Sequence, residues 1–244
     1  MKKTLPKQLH LFLISLMLTA FVFATVYHTS AFTYQFQTQT VSQKIKNLVT
    51  VVVNPAGDAW LNEYRKNRNY GGDTRLIVQS YTYNRHIILK FDLTSLPSNI
   101  KIVSANLSLY YYDRGRRDPA GRVYYCYRLT ETDWVEGTQS GGKEVGSCCW
   151  NYRQYDTLAW TVKGGTYTTE DYASTVVPPS FGWMVWNVTS QVQYAIDNTG
   201  KVVHFIIVDG NEYSTKKYRA FFYSREHSDP SLIPKLEITY KLAN

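Results

Sequence analysis

The sequence predicts an all-β fold, an antiparallel β-sandwich of jelly-roll type with one short helix. Three observations predict it. About nine short runs rich in β-branched and aromatic residues recur along the chain, with Asn, Gly, Pro and Asp in the gaps. One run alternates cleanly: over 105–112, Leu107, Leu109 and Tyr111 share a face, and Asn106, Ser108, Tyr110 and Tyr112 share the other. A helical stripe is found after Val188, where Val192, Ala195 and Ile196 follow Thr189 or Ser190 as caps.

The chain of 244 residues opens with Lys2, Lys3 and Lys7, an apolar run from Leu9 to Val26, and then Thr29, Ser30 and Ala31. A charged start, an apolar middle and small residues after it describe an export signal, with cleavage after Ala24 or Ala31. The run also approaches the roughly 18–20 residues of a membrane-spanning helix. Residues 1–31 therefore read as a signal peptide or a retained N-terminal membrane anchor, and the rest of the chain as extracellular or cell-surface. Residues 32–48 are polar and rich in Gln and Thr, a linker or extended arm. Residues 49–244 then form the domain, roughly 200 residues, enough for one all-β core. The expected strands are 48–53, 74–79, 86–93, 101–112, 123–129, 184–188, 202–208, 219–224 and 235–241.

The formal charge is +8, and the first 31 residues contribute three lysines and no acid, which leaves +5 on the exported part. That suits an anionic partner such as an acidic polysaccharide without demanding one. No helix-turn-helix pattern, zinc spacing or basic helix points to nucleic acid. The three cysteines are Cys126, Cys148 and Cys149. Adjacent cysteines seldom bridge each other, so an exported chain is expected to pair Cys126 with Cys148 or Cys149, against the bland alternative of three buried thiols.

Several stretches resemble the DNRLRE-domain family of secreted jelly-roll modules. AWLNEYRKNRNYGGDTRLIV at 59–78 resembles its opening, and RHIILKFDLTSLPSNIKIVSANLSLYYY at 85–112 is the closest part. RLTETDWVEG at 128–137 and CWNYRQYDTLAWTVKGG at 149–165 resemble its Trp-bearing middle. WNVTSQVQ at 186–193 and YSREHSDPSLIPKLEITY at 223–240 resemble its close. The resemblance implies a jelly roll akin to carbohydrate-binding modules, some of them grouped with alginate-type polysaccharide binders. It also implies kinship with disaggregatase-related surface proteins. It constrains function less than fold, since one jelly roll hosts many roles.

Among residues that carry chemistry, Asp92 in FDLTSLP is expected to bond turn amides before Pro97. Arg225 and Glu226 are expected to form a satisfied local network. Glu131, Asp133 and Glu136 around Trp134 have the look of a glycosidase pair, but on a short turn they are expected to be solvated, and no GxSxG or HExxH occurs. No catalytic residue is assigned, and the chain reads as a non-enzyme. Calcium, which takes six to eight oxygens, can find carboxylates in Asp58, Asp73 and Asp229.

Sugar binding has the strongest case beyond structure. Aromatic rings stack on pyranose faces and arginines grip carboxylates. Tyr110, Tyr112, Arg114, Arg116 and Arg117 fall around one hairpin, and Trp150, Tyr152, Arg153 and Tyr155 in the central loop. Together they form the expected carbohydrate-binding surface, while Trp134 and Trp160 belong to the core. The sequons at Asn106 and Asn187 are acceptors for N-glycans in a host that makes them. The leading expectation is attachment to an extracellular acidic polysaccharide. The alternative is a subunit of a surface layer, filament or adhesion assembly that meets copies of itself through the 32–48 arm. A membrane enters only through an uncleaved N-terminus.

Overall fold

The computed structural model of the chain describes Val26 and residues 48–243. The signal or anchor expected at 1–31 and most of the 32–48 arm lie outside the described residues. Among the described residues no helix is long and apolar enough to cross a membrane. The chain divides into two compact units, Met1–Leu48 and Val49–Asn244, and the second carries the sandwich.

Its elements are β1 (Leu48–Val53), β2 (Gly57–Asn62), β3 (Arg75–Ser80), β4 (Arg85–Asp92), β5 (Ile100–Arg114) and β6 (Val123–Leu129). β7 (Tyr152–Gln154), β8 (Leu158–Ala159), β9 (Tyr167–Val176) and β10 (Gly182–Asn187) follow. The unit closes with α1 (Thr189–Asn198), β11 (Val202–Asp209), β12 (Tyr218–Tyr223) and β13 (Lys235–Leu242). The pairings β2–β4, β3–β4, β3–β12, β4–β11, β5–β10, β5–β12, β5–β13, β6–β9, β6–β11 and β7–β8 are all antiparallel.

The pairings resolve into two sheets joined at one corner. In the first, β5 is the axis: β10 lies along one edge, and β13 and β12 share the other, against 100–108 and 111–114 respectively. β3 extends β12 and β1 extends β13. The second sheet runs β2-β4-β11-β6-β9. A single pair, Gln79 with Arg85, connects the sheets at the β3–β4 hairpin. This is an antiparallel β-sandwich of jelly-roll type.

Strand alternation builds the core. Leu107, Leu109 and Phe222 of the first sheet meet Leu89, Phe91 and Phe205 of the second. The period of two survives two irregularities in β5. The register slips opposite Thr239/Tyr240, where Val103 has no partner, and again opposite Phe221/Phe222, where Tyr112 has none. The slip at Val103 explains why Ile100 and Ile102 face inward before it and Ala105 and Leu107 after it.

The second sheet is buried on its other face too. Ala59, Leu61, Ile88 and Ile206 lie under Trp134, Trp150 and Trp160 from the long 130–166 segment. Burial on both sides accounts for the near-continuous apolar runs of β4 and β11. The Asn-Tyr-Gly turn seats that segment. Asn69 Nδ2 donates to the Glu136 and Cys148 carbonyls (2.5 and 2.9 Å), and a Cβ at Gly71 would collide with the Glu136 carbonyl.

The expected disulfide is not formed: all three cysteines are buried free thiols. Cys126 faces the core between the sheets, whereas Cys148 lies in the cluster on the outer side of the second sheet. A layer of β-sheet separates them. α1 forms where expected, but Thr189 does not cap it; its hydroxyl accepts the Ala105 N–H instead (2.9 Å), tying the helix to β5. Asp92 closes its turn as expected, accepting from the Thr94 N–H and hydroxyl (2.9 and 2.6 Å). The two sequon residues, Asn106 and Asn187, are paired across β5 and β10.

One buried histidine ties stability to pH. Trp134 Nε1 donates to His204 Nδ1 (3.0 Å), which must therefore be unprotonated. Burial, and secondarily the Lys90 ammonium, lower the His204 pKa to about 4. Asp92 lines the same depression as Lys90 and His204. The unfolded chain takes up this proton near the ordinary pKa of about 6.5. The histidine's contribution is thus complete above pH 6.5 and is lost as pH falls toward 4. Urea unfolding is expected to show a loss of about 2 kcal/mol from this group between pH 7 and pH 5. A His204→Gln variant, which keeps an acceptor, should lose that component of the pH dependence.

Candidate carbohydrate-binding surface

The outward positions of the first sheet form a row across four strands. Trp183 of β10 pairs with Tyr110 of β5, and Tyr223 of β12 pairs with Arg75 of β3. The Tyr110 and Tyr223 rings stack at 5.9 Å, which joins the two halves. Trp183 meets Tyr110 edge-on at 5.3 Å, and Tyr112 lies flat on Tyr223 at 4.1 Å and 4°. Four strands at their usual spacing span about 14 Å, the reach of a short oligosaccharide.

Local sequence makes this row. GWMVWN buries Met184 and Trp186 and turns Trp183 and Val185 outward, Trp183 with 36% exposure. YRAFFY buries Ala220 and Phe222 and leaves Tyr223 on the outside. The bulge at Tyr112 brings its ring against Tyr223. The tyrosines stack on one another, so they present ring edges and hydroxyls; the broad indole face belongs to Trp183.

Cations flank the rings. Lys235 Nζ stands 4.1 Å from the Trp183 ring centre. The Arg75 guanidinium is held by Asp73 through Nε and Nη2 (3.0 and 3.2 Å), which leaves Nη1 uncommitted to Asp73, on a side chain about half exposed. His227 lies on Tyr223 with ring centres 3.8 Å apart. Burial raises the Tyr112 phenol to about 12, so this hydroxyl stays protonated and available to donate.

The residues expected to bind sugar divide between two sides of the sandwich. Tyr110 and Tyr112 belong to the row. Arg116 and Arg117 are exposed on the loop after β5, while Arg114 pairs with Asp118. The central-loop group is elsewhere. Trp150 is 4% exposed within the cluster on the outer side of the second sheet, so it offers no ring to a ligand. Arg153 is consumed by Glu131 and Asp133 (both 2.7 Å), and Tyr152 and Tyr155 meet edge-on beside it. The central-loop group therefore adds neither an open indole nor an unpaired guanidinium to the face that carries Tyr110 and Tyr112. Trp134 and Trp160 are core residues as expected, at 2% and 3% exposure.

Sequence reasoning missed Trp183, Tyr223, Arg75 and Lys235. The available signal was alternation: Trp183 and Trp186 stand three apart in a strand, so one must face out when the other faces in.

Residues 49–141 match the model of carbohydrate-binding module family 96. The matched stretch runs from β1 through β6 into the capping segment and carries Arg75, Tyr110 and Tyr112; Trp183 and Tyr223 lie beyond it. No curated protein matches the chain. Among solved structures, winged bean acidic lectin complexed with methyl-α-D-galactose aligns over 81% of this chain and 100% of that one, with 8% identity and a TM-score of 0.27.

The carboxylates divide differently from expectation. Glu131 accepts from the Thr161 N–H and the Thr161 and Thr166 hydroxyls besides Arg153, a structural post. Asp73 is taken by Arg75 and the Trp60 indole (3.3 Å), and Asp229 closes its own turn on Ser231. Neither stands with Asp58, so the expected calcium set Asp58, Asp73 and Asp229 is not assembled. Asp58 meets Glu136 and Glu226 instead. Arg225 and Glu226 form the expected local contact only loosely, at 3.8 Å, because Arg225 Nη1 turns to Glu136 (2.7 Å).

Proposed function

We propose that the domain is an extracellular carbohydrate-binding module that holds an acidic polysaccharide along the row Trp183–Tyr110–Tyr223–Arg75. The observation that carries this reading is the lateral aromatic row with Arg75 at one end and Lys235 over the other. An indole face packs on a pyranose ring, phenol hydroxyls and Arg75 Nη1 donate to hydroxyls and uronate carboxylates, and Lys235 adds a point charge. The match to a carbohydrate-binding module family supports the class of ligand. A second tyrosine cluster exists on β6 and β9, where Tyr127 stacks on Tyr167 at 4.7 Å. The Glu212 carboxylate acts on both of those phenols, which disfavours an anionic chain there.

Affinity electrophoresis and calorimetry against polyguluronate, polygalacturonate and a neutral glucan test the reading. Trp183→Ala, which removes the exposed indole, and Tyr223→Ala, which removes the ring on which Tyr110, Tyr112 and His227 pack, are each expected to weaken binding to a uronate polymer by about tenfold or more. Binding should fall with added salt, and less steeply in Arg75→Gln. Uronate binding unchanged in both aromatic variants would remove the row as the site.

A further inference from the structure

We infer that Asp58, Glu136 and Glu226 form a divalent-cation site suited to calcium, which fastens three distant parts of the chain together. Asp58 lies on β2, Glu136 in the segment that caps the second sheet, and Glu226 in the loop between β12 and β13. One oxygen from each lies within 4.8 Å of the other two. Two oxygens on one calcium ion sit at most about 5 Å apart, twice the bond length, so a single ion can reach all three.

Two carboxylate oxygens in this cluster have no partner. Asp58 is 1% exposed, and its Oδ1 is unpaired while Oδ2 accepts only the Arg225 N–H (2.9 Å). Glu226 Oε2 is likewise buried and unpaired. A buried carboxylate oxygen left without a donor is costly, and a cation satisfies several at once. Glu136 is bonded already, Oε1 to the Asp58 N–H (2.6 Å) and Oε2 to Arg225. The charge balance also asks for more. Three carboxylates face Arg225, with Lys90 the other cation acting on Glu136. Oxygen-only ligands from three loosely related segments suit the flexible coordination of calcium better than the strict octahedron of magnesium.

Calorimetry of the chelator-treated full chain with CaCl2 at pH 7, together with thermal unfolding, tests the site. One saturable event is expected, with Tm raised by about 5–10 °C at a hundredfold excess over Kd. Glu226→Gln keeps the fold, since this side chain accepts no hydrogen bond, and should weaken calcium binding at least tenfold. Glu136→Gln should do the same. Absence of heat and of any Tm change at millimolar CaCl2, or equal binding by both variants, overturns the assignment. Polysaccharide binding by the row is read separately in chelator, so the two proposals fail independently.

Discussion

Replacing Trp150 by Ala is expected to lower the unfolding free energy by about 3–5 kcal/mol, the usual cost of emptying a buried tryptophan site. The indole is 4% exposed and fills the space between the second sheet and its capping segment. Its far edge lies about where a side chain would begin at Gly164, whose hypothetical Cβ would come within 2.8 Å of it, and Gly164 also holds a positive φ of 88°. The His86 ring sits 4.7 Å away, and His86 in turn is bonded to the Gly164 carbonyl (2.8 Å) and Glu212 (2.6 Å). His86 cannot slide in to fill the cavity without breaking those bonds. Denaturant unfolding measures the loss. Polysaccharide affinity of the fraction that remains folded should match the unaltered protein. A Trp150 that touched sugar would behave in the opposite way, with affinity lost and the unfolding midpoint kept. The two outcomes separate a core tryptophan from a ligand-contacting one.

Trp150 and Trp183 together show what was legible in the chain. Strands with period two and β-branched content were read to within a residue or two: β1 and β6 fall at 48–53 and 123–129 as expected. β9 went unread because YTTEDYASTV is mostly polar, as suits a strand with one paired edge and a largely exposed face. β2 went unread because GDAWLN lacks β-branched residues; Ala59 and Leu61 are buried by Trp134, Trp150 and Trp160 far along the sequence and Trp60 by the core between the sheets, not by local propensity. The site followed the same division. The shared outward face of Tyr110 and Tyr112 was legible because their own strand alternates. Trp183, Tyr223 and Arg75 reach them only through pairings of β10, β12 and β3 with partners 70 to 150 residues away, roughly, and register of that kind is set by the whole fold. The burial of Trp150, grouped in the sequence with the Arg114 hairpin, was hidden for the complementary reason. Both are aromatic or basic loops, and composition cannot say which side of a sheet a loop covers.

Arg122→Ala is the second large loss expected, about 3–5 kcal/mol, because it strands a buried carboxylate. Asp209 ends β11 with 1% exposure, and Arg122 grips it through Nε and Nη2 (2.6 and 2.8 Å). The same Nη2 reaches the Asn211 carbonyl (2.7 Å) and the Ser214 hydroxyl (3.1 Å), and the guanidinium lies 4.4 Å above Tyr218. One side chain thus fixes the base of the Arg114–Arg117 loop to the turn between β11 and β12. Burial already raises the Asp209 pKa against the pull of Arg122. Without the arginine, Asp209 must take up a proton to stay inside, and its folded pKa rises further above the unfolded value. Stability of the variant should therefore recover as pH falls from 7 toward 5, opposite in sign to the effect of His204. Paired with Asp209→Asn, Arg122→Ala should cost clearly less than alone, since no charge is then left behind. A double-mutant cycle by urea unfolding at the two pH values reads both effects. Equal losses in the single and double variants at pH 7 would mean that the guanidinium's bonds to Asn211 and Ser214, rather than the ion pair, hold the loop.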